Sequence, residues 1–337
     1  MSHRASLARA VATGSLLLFA GAASAAINFT NNILITGYWP PTNNMVRQFS
    51  RNPASNPDGW KGHNWEGRGY NIHSYFPEFP QGLGKGVGDL EVDYQDTAND
   101  WAWITETLRP VAIITFSRAN TQIGWELEPA YQRFRLSGEP PVPGRNVPFY
   151  SSDYLAPFQP SNVPIAGETP GNVRESTLPM QAIVDAVEAE ISPSLVDPFI
   201  ANYDPDNLNN GYDFGGSFLS GYIGYLGAWY QNEHSAPDAE FRTFAAGHIH
   251  VGLNMQLSAA VQATEITLRT LIDYLDEVVP WPGPHKGYGA LPNGAWPGDS
   301  PMPGWDGQSA LAVPAPGVSA IVVLAASGLG VRRRRTQ

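Results

Sequence analysis

The strongest constraint on how this chain can fold is an alternation. Between residues 27 and 279, short apolar runs of strand length repeatedly give way to stretches with helical spacing. Ile33-Leu34-Ile35-Thr36-Gly37 reads as a buried strand entering a glycine turn. Residues 97–108 carry Trp101, Ile104 and Leu108 on one helical face, and residues 111–116 form another mostly apolar strand. Residues 177–191 place Met180, Ile183, Val184 and Val187 together on a helix. Residues 218–230 are small and aromatic, with Ser220 at a helix start; residues 244–251 read as a strand and 259–275 as a final amphipathic helix. Strand-then-helix order predicts an α/β domain, a three-layer α/β/α arrangement around a mostly parallel sheet, over residues 26–282. At 42% hydrophobic and 11% aromatic residues, the chain has ample material for such a core.

Both ends read as addressing segments. Residues 1–25 combine His3, Arg4 and Arg9 with the apolar stretch SLLLFAGA and an Ala23-Ser24-Ala25 cleavage pattern, the three parts of a secretory signal peptide. Residues 283–313 form a Pro/Gly/Trp-rich tether without periodicity. Residues 314–337 then run from Pro314-Ala315-Pro316-Gly317 through an apolar stretch at 318–331 into Arg332–Arg335. This order is similar to the PEP-CTERM sorting tail of Gram-negative bacteria. The resemblance implies recognition by an exosortase, membrane contact through the tail before processing, and delivery to the outer surface or extracellular matrix. The chain is acidic, with net charge −11, and its only lysines are Lys61, Lys85 and Lys286, which argues against a nucleic-acid partner. With Cys 0, thiolate metal sites, disulfides and a cysteine nucleophile are all excluded.

Chemistry can sit on hydroxyls, imidazoles and carboxylates. Ser220 lies in Gly216-Ser217-Phe218-Leu219-Ser220-Gly221, a small-residue turn opening a helix, where backbone N–H groups can hold an oxyanion. His248-Ile249-His250 on a strand puts both imidazoles on one face. On the residues alone, the plainer reading makes Ser220 a helix cap and the histidines satisfied polar groups. His248 and His250 with His234 or Glu233 form a zinc alternative. Asp204, Asp206 and Asp213, with Asn209 and Asn210, suggest a short oxygen-rich calcium loop or a solvated turn cluster.

Six segments, in order, resemble the pyroglutamyl-peptidase I family, cysteine peptidases with a Cys–His–Glu triad. Residues 33–37 followed by Tyr38-Trp39-Pro40 are similar to its opening strand and TGF-x-PFGG motif, and residues 109–116 to its RPD-plus-apolar strand. Residues 118–128 align to the segment ending at its conserved-motif glutamate, and Ser176-Thr177-Leu178-Pro179-Met180 to its STLPI helix opening. Residues 216–220 fall on AGTFVC and residues 246–251 on GGFIHVP. The resemblance implies that fold, with Ser220 at the nucleophile position, His250 as base and Glu128 as its orienting carboxylate. Glu126 is the alternative acid, and Tyr38, Pro41 and Arg118 are the substrate-pocket positions. It implies no cofactor and no metal, and a peptide or small amide as substrate. Two functions follow: a secreted serine-type hydrolase cleaving an N-terminal residue amide or related small acyl amide, or a non-catalytic binding or matrix protein on the same scaffold.

Overall fold

The computed structural model describes residues 28–80, 86–133, 135–136, 149–150, 168–169, 171–203 and 219–280. The expected signal peptide, the calcium loop, the tether and the sorting tail lie outside these residues. Among the described residues, no helix is long and apolar enough to cross a membrane.

Six strands make the central sheet: β1 (Asn32–Thr36), β2 (Asn71–Tyr75), β3 (Ala112–Arg118), β4 (Gly124–Glu128), β5 (Asp197–Ile200) and β6 (Ala245–Val251). Their spatial order is β5-β4-β6-β3-β1-β2. Neighbours run parallel throughout except β6 and β4, which pair antiparallel. Four main helices accompany the sheet: α1 (Tyr94–Leu108), α2 (Met180–Glu190), α3 (Leu219–Glu233) and α4 (Leu257–Val278). The α/β fold with a mostly parallel sheet is therefore as expected.

The period of two along each strand sorts side chains into two cores. Ile33 and Ile35, Ile114 and Phe116, Trp125 and Leu127, and Ile249 and Val251 face one side, against Ile183 and Val187 of α2 and Leu268 and Leu271 of α4. Leu34, Ile113 and Ala246 face the other, against Trp101 and Ile104 of α1 and Tyr222 and Leu226 of α3. This is the three-layer sandwich. Each fully buried Leu or Ile contributes about 1.5–3 kcal/mol, so the 22 buried Leu and Ile among the described residues can hold a sheet whose central strands are buried on both faces.

The same alternation sends polar residues of three adjacent strands to the α3 side. Thr115 and Ser117 of β3, Glu126 and Glu128 of β4, and His248 and His250 of β6 all occupy the positions between the apolar ones. Helix α2 starts at Met180, later than residue 177, because Thr177 bonds to β6 and Pro179, the residue before the helix, is not helical. The Thr177 N–H donates to the Ala246 carbonyl at 2.9 Å and the Ala246 N–H to Thr177 Oγ1 at 2.8 Å.

Candidate active site

Pairing between β6 and β4 sets His250 opposite Glu126 and His248 opposite Glu128, while β3 sets Ser117 beside His250 and Thr115 beside His248. Facing pairs on one side of a sheet are close enough for side chains to bond directly or diagonally. The diagonal pair is the one formed: His250 Nδ1 lies 2.6 Å from Glu128 Oε1, with both side chains nearly enclosed (8% and 5% exposed). A carboxylate only accepts, so this bond fixes a proton on Nδ1 and leaves Nε2 as the basic nitrogen of the neutral ring. Burial alone would lower the His250 pKa. The hydrogen bond to Glu128 and the charges of Glu128 and Glu126 outweigh it, and the net shift is upward. Glu126, partly exposed, has its own pKa raised by burial and by the charge of Glu128, with His250 acting the other way.

His248 is built for the opposite state. Its Nδ1 meets Thr115 Oγ1 at 2.7 Å and its Nε2 meets Ser117 Oγ at 2.8 Å, and burial with the neighbouring His250 holds its pKa well below 6.5. A neutral ring thus stands edge-to-face against the His250 ring, centroids 4.6 Å apart. The His248 backbone N–H donates to Tyr131 Oη at 2.7 Å, and that hydroxyl donates to the Glu128 carbonyl at 2.8 Å, tying β6 to the end of β4. In the sequence Thr115 and Ser117 stand out as the alternate polar positions of an otherwise apolar strand, which marks them as facing one side but not which ring they meet.

Helix α3 carries Ser220 to this face. A Cβ added at Gly224 would come within 2.9 Å of Tyr131 Cδ1 and 3.2 Å of His248 Cβ, so the helix touches β6 there. Gly227 lies over Ile113 and Thr115, so the helix N-terminus points toward the carboxyl ends of β3 and β6. Ser220 precedes Gly224 by one helical turn, about 6 Å of axial rise. His250 lies two residues beyond His248, about 6.6 Å along the strand. The two steps match, which puts Ser220 at the His250 end of α3. Ser220 is partly exposed and sits in the first turn, among the backbone N–H groups that a helix leaves unbonded. Among the described residues no hydrogen bond joins Ser220 to His250.

The other expected positions divide. Tyr38 is completely buried in the α1/α3 core, its hydroxyl 2.5 Å from Thr97 Oγ1, so the expectation that it lines a pocket is corrected. Its neighbour Trp39 is the half-exposed aromatic at this turn. Gly37 permits the turn, since a Cβ there would fall 2.6 Å from the Asn43 Cα. Pro41 is partly exposed, and its carbonyl accepts from Asn44 and Met45. Arg118 is exposed at the end of β3, its guanidinium 6.0 Å from the Trp39 ring centre. The zinc alternative with His234 or Glu233 is overturned. The His234 ring stacks on Phe241 at 4.3 Å and its backbone carbonyl accepts from the Thr243 N–H just ahead of β6, at the opposite strand end, and both nitrogens of His248 are engaged. The described side chains that could together hold a cation are Glu126, Glu128 and His250, whose ligand atoms lie within 4.8 Å of one another.

No family model matches the chain, and no curated protein matches it either. Solved structures do. The pyrrolidone carboxyl peptidase from Thermococcus litoralis is 18% identical, with a TM-score of 0.48, over 73% of this chain and 95% of that one. A variant of the pyrrolidone carboxyl peptidase from Pyrococcus furiosus is 14% identical with a TM-score of 0.47, covering 72% and 99%. Pyroglutamyl peptidase I from Bacillus amyloliquefaciens is 16% identical with a TM-score of 0.44, covering 72% and 95%.

Proposed function

We propose that this chain is a serine-type amide hydrolase. Ser220 is the nucleophile, His250 the general base and Glu128 the carboxylate that orients the base. The observation that carries this reading is the buried 2.6 Å bond between His250 and Glu128, on the sheet face that the first turn of α3 overhangs. A carboxylate that fixes Nδ1–H and raises the basicity of Nε2 is what a hydroxyl needs to become nucleophilic. In the acylation step the Ser220 Oγ–C bond to the substrate carbonyl forms as its proton passes to His250 Nε2. The tetrahedral oxyanion is met by the unbonded N–H groups of the α3 first turn, each such donor typically worth about 3–4 kcal/mol in the transition state. His250 then returns the proton to the departing amine, the C–N bond breaks, and water releases the acyl group by the same route. Glu126 supports the charge on His250 from the facing strand.

The substrate class is an N-terminal residue amide or a small acyl amide of a peptide. The chain is exported by its first 25 residues and sorted by an exosortase-type enzyme acting on residues 314–337, so this chemistry operates at the outer surface or in the extracellular matrix. One observation favours a second reading: the convergence of Glu126, Glu128 and His250 suits a divalent cation, which would activate water in place of the serine. Turnover of a panel of aminoacyl and pyroglutamyl coumarin amides separates the two. On the serine reading, activity falls at least about 10³-fold in Ser220→Ala and survives chelator. Activity that survives Ser220→Ala but is lost to chelator would replace the serine reading with the metal one, and a folded protein with no turnover would favour the binding-protein function.

A further inference from the structure

In an open α/β sheet the ligand crevice lies outside the carboxyl ends of the strands, where the strand order reverses. Here that point is between β1 and β3, because the chain moves outward from β1 to β2 and then crosses back to β3. Two residues mark the spot. Trp39 follows β1, and Arg118 closes β3 in register with Val251, immediately beyond the Ser117–His250 pair.

Trp39 is a prepared surface. It stacks on Phe79 with ring centres 4.7 Å apart and planes 6° off parallel, and both rings are half-buried. Its backbone is pinned by Thr42, whose Oγ1 accepts from the Trp39 N–H at 3.1 Å and whose N–H donates to the Trp39 carbonyl at 2.7 Å. Arg118 stands over this platform, exposed. Among the described residues no carboxylate neutralises it, in a chain with 31 acidic against 20 basic residues. Arg47, Arg68, Arg109, Arg174 and Arg269 all pair with carboxylates; Arg118 forms no ion pair among the described residues. Nearby, Glu126 and Glu128 would repel an anionic substrate, so a ligand with a negative end needs a cation of its own at this edge.

We infer that Arg118 and Trp39 form a carboxylate-recognising subsite, and that the substrate is an amide bearing a free carboxylate, its stem lying on Trp39 and its charge on the Arg118 guanidinium. The inference rests on the hydrolase reading for its substrate class, but the subsite itself is a binding claim. Arginine suits the role because its fork can take both carboxylate oxygens while its plane remains on an aromatic face. The subsite selects the acid over its neutral isostere because only a carboxylate makes charge-assisted, bidentate bonds to the guanidinium.

The test uses glutaryl p-nitroanilide and its neutral counterpart, in which the terminal carboxylate is a carboxamide. p-Nitroaniline release is followed with wild type, and binding is followed by calorimetry with Ser220→Ala. A charged hydrogen-bonded contact at a partly exposed site corresponds to about a 10- to 100-fold preference for the acid. It should be expressed in KM rather than kcat, disappear in Arg118→Ala, be partly retained in Arg118→Lys, and weaken in Trp39→Ala. Arg118 is exposed, so its variants are expected to melt with wild type. If the acid is bound preferentially and Arg118→Ala abolishes that preference, yet neither compound is hydrolysed, the subsite stands and the hydrolase reading fails. If both are hydrolysed without preference, or the preference survives Arg118→Ala, the subsite is refuted and the hydrolase reading stands. If Ser220→Ala binds neither compound, the subsite is refuted.

Discussion

Replacing Glu128 by glutamine removes one charge and almost no volume. In the wild type a carboxylate holds His250 Nδ1–H at 2.6 Å inside the protein, and the His250 pKa is shifted upward as a result, against the opposing effect of burial. The glutamine carbonyl can still accept from Nδ1–H, so geometry is largely kept while the charge assistance is lost. A hydrogen bond to a charged group is worth about 1.5–3 kcal/mol against about 1 for a neutral one, so Glu128→Gln should cost about 1–2 kcal/mol when the ring is protonated. The folded pKa of His250 lies above the unfolded value of 6.5. The native state therefore holds this proton more tightly, and the pair's extra stability is fully present below pH 6.5 and is lost as pH rises through the raised folded value. The stability gap between wild type and Glu128→Gln should accordingly be widest at pH 5–6 and narrow at pH 9. NMR titration of the imidazole Cε1–H resonances, with His250→Gln to assign the signal, should show His250 moving from above 6.5 to below it in the variant, since burial then acts with only Glu126 opposing. Catalysis should fall by about 10⁴-fold, as when a triad acid is made neutral. An unchanged His250 titration together with a pH-independent stability gap would refute the claim that Glu128 holds the charge on this ring.

Two further outcomes follow from the same face. Gly224→Ala sets a methyl 2.9 Å from Tyr131 Cδ1 and 3.2 Å from His248 Cβ. Overpacking costs about 1–3 kcal/mol and the gain in helix propensity returns up to about 1, so scanning calorimetry should show a melting temperature lower by a few degrees. Activity should fall more than stability does, because Ser220 rides on the same helix face; an unchanged melting temperature with unchanged turnover would mean α3 is not seated as described. Asp100 shifts in the same direction as His250 but with burial as its cause: burial, opposed by the hydrogen bond from the Glu91 N–H, pushes its carboxyl from 3.8 up to about 7, with Glu91, Asp96 and Asp89 adding to the shift. The native state binds that proton more tightly, so its contribution to stability declines as pH rises from about 4 to about 7. Asp100→Asn, which retains an acceptor for the Glu91 N–H, should melt above wild type at pH 8 and level with it near pH 4. A variant that melts lower at pH 8 would contradict this.

The architecture was legible wherever the hydrophobic period was strong. The strands carrying Ile33 and Ile114, and the helices carrying Val187, Leu226 and Leu271, all lie where alternation and helical spacing put them. Strand β2 was not, because its sequence NIHSY is largely polar and its polar groups are satisfied across the sheet by β1 and the residue before it: His73 Nε2 meets Asn32 Oδ1 at 3.1 Å, and the Asn71 N–H donates to the Asn31 carbonyl. Such a strand is held by its neighbour's side chains and carries little apolar signal. The shared face of His248 and His250 follows from the period of two, whereas their partners do not. Glu128 is 122 residues away from His250; the resemblance implied their partnership, but the antiparallel pairing of β6 with β4 that brings them together is not encoded in local pattern. Tyr38 was misplaced for a similar reason. At the end of a strand, one residue of rotation decides between core and crevice, and the hydroxyl bond to Thr97 turned Tyr38 inward and left Trp39 at the rim. The neutral state of His248 depends on Thr115 and Ser117 flanking it from β3, a cross-strand arrangement that no single segment announces.

The central claim is that Ser220 is an activated nucleophile, and a fluorophosphonate probe tests it without knowledge of the substrate. Intact-mass and peptide mass spectrometry of the labelled protein should place a single phosphonyl adduct on Ser220. Labelling should be lost in Ser220→Ala and in His250→Ala, and be slowed strongly in Glu128→Gln. A well-folded wild-type protein that takes no label, or that takes it on a serine other than Ser220, would contradict the account.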